Sequence, residues 1–197
     1  MKLFDISQEV FSCKVFPGDP SPVKEVLMRT SDGDVCNLSK FEMCAHNGTH
    51  VDAPFHFIGN GKTIDQVSLD RYVGYAYVTH HDGVINADVA SSILKAAREL
   101  SSEAAERILV GGNAVLSAEG ARVFAAEGTK LYGNESQTVG PEDAPQEVHL
   151  IMLGAEVVLL EGIRLADVPD GVYILDAAPI NLGGADGAPC RAVLIEL

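Results

Sequence analysis

Apolar residues at positions 89, 93, 96, 97 and 100 recur at i, i+4, i+7, i+8 and i+11, one face of a helix. They predict an amphipathic helix over residues 87–100. A second helix is expected over 117–126, where Ser117 suits the N-cap, Glu119 falls in the first turn and Gly128 stops the chain. A third is expected over 145–153, ended by Gly154. Residues 2–6, 23–30, 35–45 and 72–81 read as extended. They are separated by turn clusters such as Pro17-Gly18-Asp19-Pro20 and Ser31-Asp32-Gly33-Asp34. Short apolar runs predict buried strands at 107–110, 129–132, 157–160, 172–175 and 192–197. Strands at both ends, helices between them and no strict βαβ rhythm predict an α+β fold, with a mixed sheet or partial barrel and flanking helices. No repeat, linker or low-complexity tract interrupts the pattern, so one domain is expected over 1–197.

Charge narrows the partners. The chain carries 14 Lys and Arg against 28 Asp and Glu, a formal charge of −14. That field repels phosphate backbones and anionic bilayers, so neither nucleic acid nor membrane is expected as a partner. The N-terminus lacks a long apolar run, and no apolar stretch approaches a membrane span. Cys13, Cys36, Cys44 and Cys190 are scattered without a C-x-x-C pair, as expected of reduced thiols in a cytoplasmic protein. Cys44 stands two residues before His46, but a small buried role is expected for it rather than ligation.

The candidate chemistry is concentrated in one segment. Three of the six histidines, His46, His50 and His56, fall between positions 46 and 56 with Asp52 among them. All four share parity, which puts them on one side of an extended chain. A straight strand would spread them over about 33 Å, too far for one site. The segment must therefore curl, and Gly48 and Pro54 are the residues that let it bend. Imidazole nitrogen and carboxylate oxygen are the usual donors to zinc or manganese in hydrolytic sites, where the ion activates water and polarises a carbonyl. His56 is left as a general acid or base. Taken alone, His149 on the third helix and Glu161 at the end of a buried run read more readily as structural or solvated residues than as ligands. An ionised carboxylate there needs a partner, and a cation would serve. His80 and His81 are expected at a turn, outside any site.

The stretch HNGTHVDAPFHF, residues 46–57, resembles the H-x-G-T-H-x-D-x-P-x-H signature of the cyclase family, which includes bacterial kynurenine formamidases (arylformamidases) and isatin hydrolases. The resemblance runs from FPGDP at Phe16 through ESQTVGPEDAPQEVH, ending at His149, and VVLLEGIRLADVP to the C-terminal strand. It implies a swivelling β/β/α fold and a metal-dependent hydrolase acting on a small molecule. His46, His50 and Asp52 would bind a first divalent ion, and Asp52 would bridge to a second held by His149 and Glu161. Zinc is expected first, manganese next. His56 would be the catalytic acid/base, and a homodimer or homotetramer would shape the pocket. Phe16 stands where the family's formamidases carry tryptophan, and can stack on an aromatic substrate.

The expected reaction is cleavage of an amide-type C–N bond in an aryl formamide. The alternatives are ring opening of a cyclic amide or lactone, a true cyclase, a non-catalytic metal-dependent binding module, and a structural ion that only staples the fold.

Overall fold

The computed structural model describes residues 1–196; Leu197, the last residue of the expected C-terminal strand, lies outside the described residues. The N-terminal part is extended, with β1 (Lys2–Asp5), a projecting hairpin of β2 (Val23–Met28) and β3 (Leu38–Glu42), and the short β4 (His50–Asp52). Next come β5 (Val73–His80), β6 (Gly83–Ile85) and α1 (Ala87–Leu100). They lead into β7 (Arg107–Gly111), β8 (Ala114–Leu116) and α2 (Ala118–Ala126). β9 (Leu131–Asn134), α3 (Gln146–Gly154) and β10 (Val158–Glu161) follow. The chain ends with β11 (Gly171–Asp176), β12 (Gly187–Pro189) and β13 (Val193–Glu196).

Nine of these strands form one curled mixed sheet, an open half-barrel, in the order β1-β13-β11-β5-β7-β9-β10-β4-β12. The expected α+β fold with flanking helices is therefore present. One expectation needs correcting. β5, β7, β9 and β10 pair in parallel, with α1, α2 and α3 in the successive crossovers, so the centre does follow a βαβ rhythm. The parallel ribbon of β6 and β8 sits inside two of those crossovers and disguises the rhythm in the sequence.

Side-chain caps open two of the helices, and only the second was expected. Asn86 caps α1 by accepting from the Val89 N–H (3.0 Å), and Ser117 caps α2 by accepting from the Gly120 N–H (3.2 Å). The face that α1 buries is Ala90, Ile93, Leu94 and Ala97, a tighter i, i+3, i+4, i+7 stripe than the expected one. Leu100, the last residue of α1, is exposed. On the sheet, side chains alternate between two cores. Ile108, Val110, Tyr132 and Leu159 pack with the helices, while Leu109, Leu131, Val158 and Leu160 pack on the opposite side with Val51.

Candidate metal centre

β4 has three residues, and its alternation builds the site. Val51 joins the core away from the helices, so His50 and Asp52 turn toward α3. β10 lies antiparallel beside it, with Glu161 directly opposite His50. His149 comes from α3, on the same buried stripe as Val148, Met152 and Leu153.

The ends of the segment fold back as the two bend residues require. His46 stands on a turn closed by the Asn47 N–H donating to Cys44 O (3.2 Å) and the Cys44 N–H donating to the Asn47 side chain (2.9 Å). Gly48 has φ of +67°, and a Cβ on it would lie 3.0 Å from Cys13 Cβ. Pro54 opens the short 3-10 turn Pro54–His56. The curl stacks the His56 ring on His46, centroids 3.9 Å apart and planes at 25°.

His46, His50, Asp52, His149 and Glu161 converge. Asp52 Oδ1 lies 2.8 Å from His46 Nδ1 and 3.4 Å from His50 Nε2, and its Oδ2 lies 3.6 Å from His149 Nε2. Glu161 places Oε2 3.4 Å from His50 Nε2 and Oε1 3.3 Å from His149 Nε2. His46-His50-Asp52 and Asp52-His149-Glu161 are each compact enough for one cation, with donor atoms within 4.8 Å of one another. Asp52 belongs to both.

The tautomers of two rings follow from their outer bonds. His50 Nδ1 donates to Gly48 O (3.0 Å), and His149 Nδ1 donates to Pro145 O (2.8 Å). Each Nε2 then faces carboxylate oxygens, an arrangement that needs positive charge between the atoms, from a proton or from a cation that displaces it. His50 Nε2 and Asp52 Oδ2 are buried without a hydrogen-bond partner. A buried donor set with unpartnered atoms of this kind fits a divalent cation.

The ionisation of the cluster agrees. Burial opposes charge on His46, yet its bonds to Asp186 and Asp52 prevail and raise its pKa to about 10. Burial is likewise overcome at His50 by Asp52 and Glu161, raising it to about 9. At Asp52 burial is outweighed by His46 and His50, which hold its carboxyl well below the usual range. His56 goes the other way, because burial lowers its pKa and keeps the ring neutral.

Some candidates lie elsewhere. His80 ends β5 and bonds Asp170 (2.6 Å), and Cys44 is half-buried outside every donor group found among the described residues. Phe16 lies on a segment tied to the site's turn by the Gly48 N–H donating to Lys14 O (3.4 Å). Two residues escaped the sequence reading. Gln137 donates to Gly48 O (3.0 Å), the carbonyl that also holds His50. Asp186 Oδ2 lies 2.9 Å from His46 Nε2 and 3.3 Å from His56 Nδ1. An acidic residue flanked by glycines, in Gly184-Ala185-Asp186-Gly187, is the kind of signal that could have marked it.

A family model described as Putative cyclase matches residues 4–144. The chain belongs to this family. The cyclase-family match spans His46, His50, Asp52 and His56 and ends before His149 and Glu161. Among curated relatives, the kynurenine formamidase of Salinibacter ruber is 33% identical, over 98% of this chain and 97% of its own. That of Erythrobacter litoralis is 30% identical, over 100% and 94%. Among solved structures, isatin hydrolase A from Labrenzia aggregata shares the fold, with a TM-score of 0.82 at 18% identity over 98% of this chain and 93% of its own.

Proposed function

We propose that this cyclase-family chain is a metal-dependent hydrolase that cleaves the C–N bond of an aryl formamide. The carrying observation is the pair of buried, unpartnered atoms, His50 Nε2 and Asp52 Oδ2, at the meeting point of three imidazoles and two carboxylates. Two relatives of near-full coverage named kynurenine formamidase support the substrate class.

His46, His50 and Asp52 would hold one divalent cation, and Asp52, His149 and Glu161 a second. Asp52 would bridge them, since its two oxygens already face the two groups separately. Nitrogen and oxygen donors suit zinc first and manganese next. When bound, the metal supplies water of lowered pKa and polarises the scissile carbonyl. The protein's own proton carrier is His56, neutral and only partly exposed beside the cluster. It takes a proton from the water that adds to the formyl carbon and gives it to the nitrogen as the C–N bond breaks, releasing the aryl amine and formate. Phe57 stacks on His149 at 4.5 Å and walls that side of the site, and Phe16 would stack on the substrate's ring.

Self-association fits the hairpin. β2 and β3 project with Val23, Leu27, Leu38 and Phe41 exposed, over a groove of about 800 Å³ that Phe11, Phe41, Met43 and Ile180 help to line. A second copy seated there would give the homodimer or homotetramer. We place the enzyme in the cytoplasm as one domain over 1–197; no helix among the described residues is long and apolar enough to cross a membrane.

Assay of zinc- and manganese-loaded protein on aryl formamides, cyclic amides and lactones tests this reading. Turnover is expected on the formamides. Protein that holds metal yet hydrolyses only ring substrates, or none, overturns it.

A further inference from the structure

We infer that Asp186 is a positioning residue whose single oxygen Oδ2 sets the working tautomers of both His46 and His56. This rests on the proposed metal hydrolase and adds a residue to it.

The geometry is specific. Oδ2 lies 2.9 Å from His46 Nε2 and 3.3 Å from His56 Nδ1, and the two rings are stacked. A carboxylate only accepts, so both rings donate to it. His46 meets a carboxylate at each nitrogen, since Nδ1 lies 2.8 Å from Asp52 Oδ1; a cation held on the Asp52 side would take the place of the Nδ1 proton and leave the Nε2 proton on Asp186. His56 carries its proton on Nδ1 and keeps Nε2 for proton exchange. With that cation in place, one oxygen would hold opposite tautomers on neighbouring rings. Nδ1 would then be the ligand atom of His46, whereas His50 and His149 would offer Nε2. Removing the carboxylate leaves the His56 ring free to exchange tautomers, and His46 loses the outer bond that orients it.

The backbone holds Asp186 in register. The Ala53 N–H donates to Asp186 O (2.9 Å), and the Ile64 N–H donates to Ala185 O (2.9 Å). Gly187 follows at once on β12, paired with Asp52. A Cβ at Gly187 would lie 2.6 Å from His46 Cε1, so the sequence leaves room for the ring that Asp186 grips. None of these backbone bonds uses the Asp186 side chain, so substitutions there leave the loop's anchors in place.

A competing reading treats His46, His56 and Asp186 as a cation site of their own, since their donor atoms also lie within 4.8 Å of one another. Stoichiometry separates the two.

The experiment compares wild type, Asp186→Asn and Asp186→Ala, each zinc-free and zinc-loaded. Long-range ¹H–¹⁵N correlations of ¹⁵N-histidine report tautomers, and chelator competition reports zinc affinity. For wild type the expected tautomer is Nδ1–H at His56 and Nε2–H at zinc-loaded His46. Asp186→Ala should mix the His56 tautomers and weaken zinc by about 10–100-fold at unchanged stoichiometry. Its kcat on an aryl formamide should fall with little change in KM. Asp186→Asn keeps an accepting oxygen and should restore the His56 tautomer. Identical tautomers and zinc competition in wild type and Asp186→Ala overturn the inference, and so does loss of a whole zinc equivalent, which makes Asp186 a ligand. Wild type that binds no zinc overturns the proposed hydrolase instead, while the zinc-free spectra still decide the role of Asp186 at His56.

Discussion

Glu161 and His50 face one another across the antiparallel pair of β10 and β4, with Oε2 3.4 Å from Nε2. The register joins a carboxylate and an imidazole that lie far apart in sequence. β4 is flanked on both sides, by β10 and β12, and both side chains are buried. Glu161 is anchored by the Val139 N–H, which donates to Oε1 (2.9 Å). Glu161→Gln keeps that shape and removes the charge. The expected result is loss of one bound cation per chain with the other retained, read by elemental analysis of dialysed protein. His149→Ala should behave alike.

His56 touches the reacting atoms in the proposed reaction without belonging to either metal group. His56→Ala should therefore keep its metal content and lose about 10²–10⁴-fold in kcat. Steady-state kinetics on an aryl formamide, with metal measured on the same sample, checks this. Wild-type turnover in the variant removes His56 from the proton path.

Metal uptake should depend on pH. His46 and His50 have pKa values raised to about 10 and about 9, so the metal-free rings carry protons at neutral pH. A cation must displace them. Raising the pH toward those values removes the competing protons, and affinity rises by about tenfold per pH unit for each proton released. Acid has the opposite effect. Calorimetry of zinc binding in buffers of different ionisation enthalpy, between pH 6 and 8, should register this proton release.

Gly187 is closed to any side chain, because a Cβ would meet His46 Cε1 at 2.6 Å and Val51 O at 2.8 Å. Gly187→Ala should destabilise the fold by about 1–3 kcal/mol through overpacking. It should also weaken zinc binding by displacing His46. Denaturant midpoints and chelator competition give the two readings.

The hairpin offers a test of assembly. Phe41 is exposed on β3 and stacks edge-on with Phe11 at 6.5 Å. A charge there should be harmless to a monomer and harmful to an interface. Phe41→Glu is expected to shift the sedimenting species toward monomer.

Legibility in the sequence followed element length and locality. α1 and α2 were readable almost to the residue, because caps and several turns of periodicity act over short range. β4, β6, β8 and β12 were not, since a three-residue strand contains too little alternation to register. Within the site, the 46–56 cluster could be read from parity and from its two bend residues. His149 and Glu161 gave weak local signals, because their placement depends on how α3 packs and how β10 pairs. Asp186 was missed altogether. It is 140 residues from His46 in sequence, and only the pairing of β12 with β4 brings it there.

Calorimetric titration of metal-free protein with zinc, run beside His50→Ala and Asp52→Asn, tests the central claim most directly. Two equivalents per chain are expected for wild type, with tight binding lost in Asp52→Asn and at least one equivalent lost in His50→Ala. Wild type that takes up no stoichiometric zinc or manganese, or variants that bind as wild type does, would contradict it.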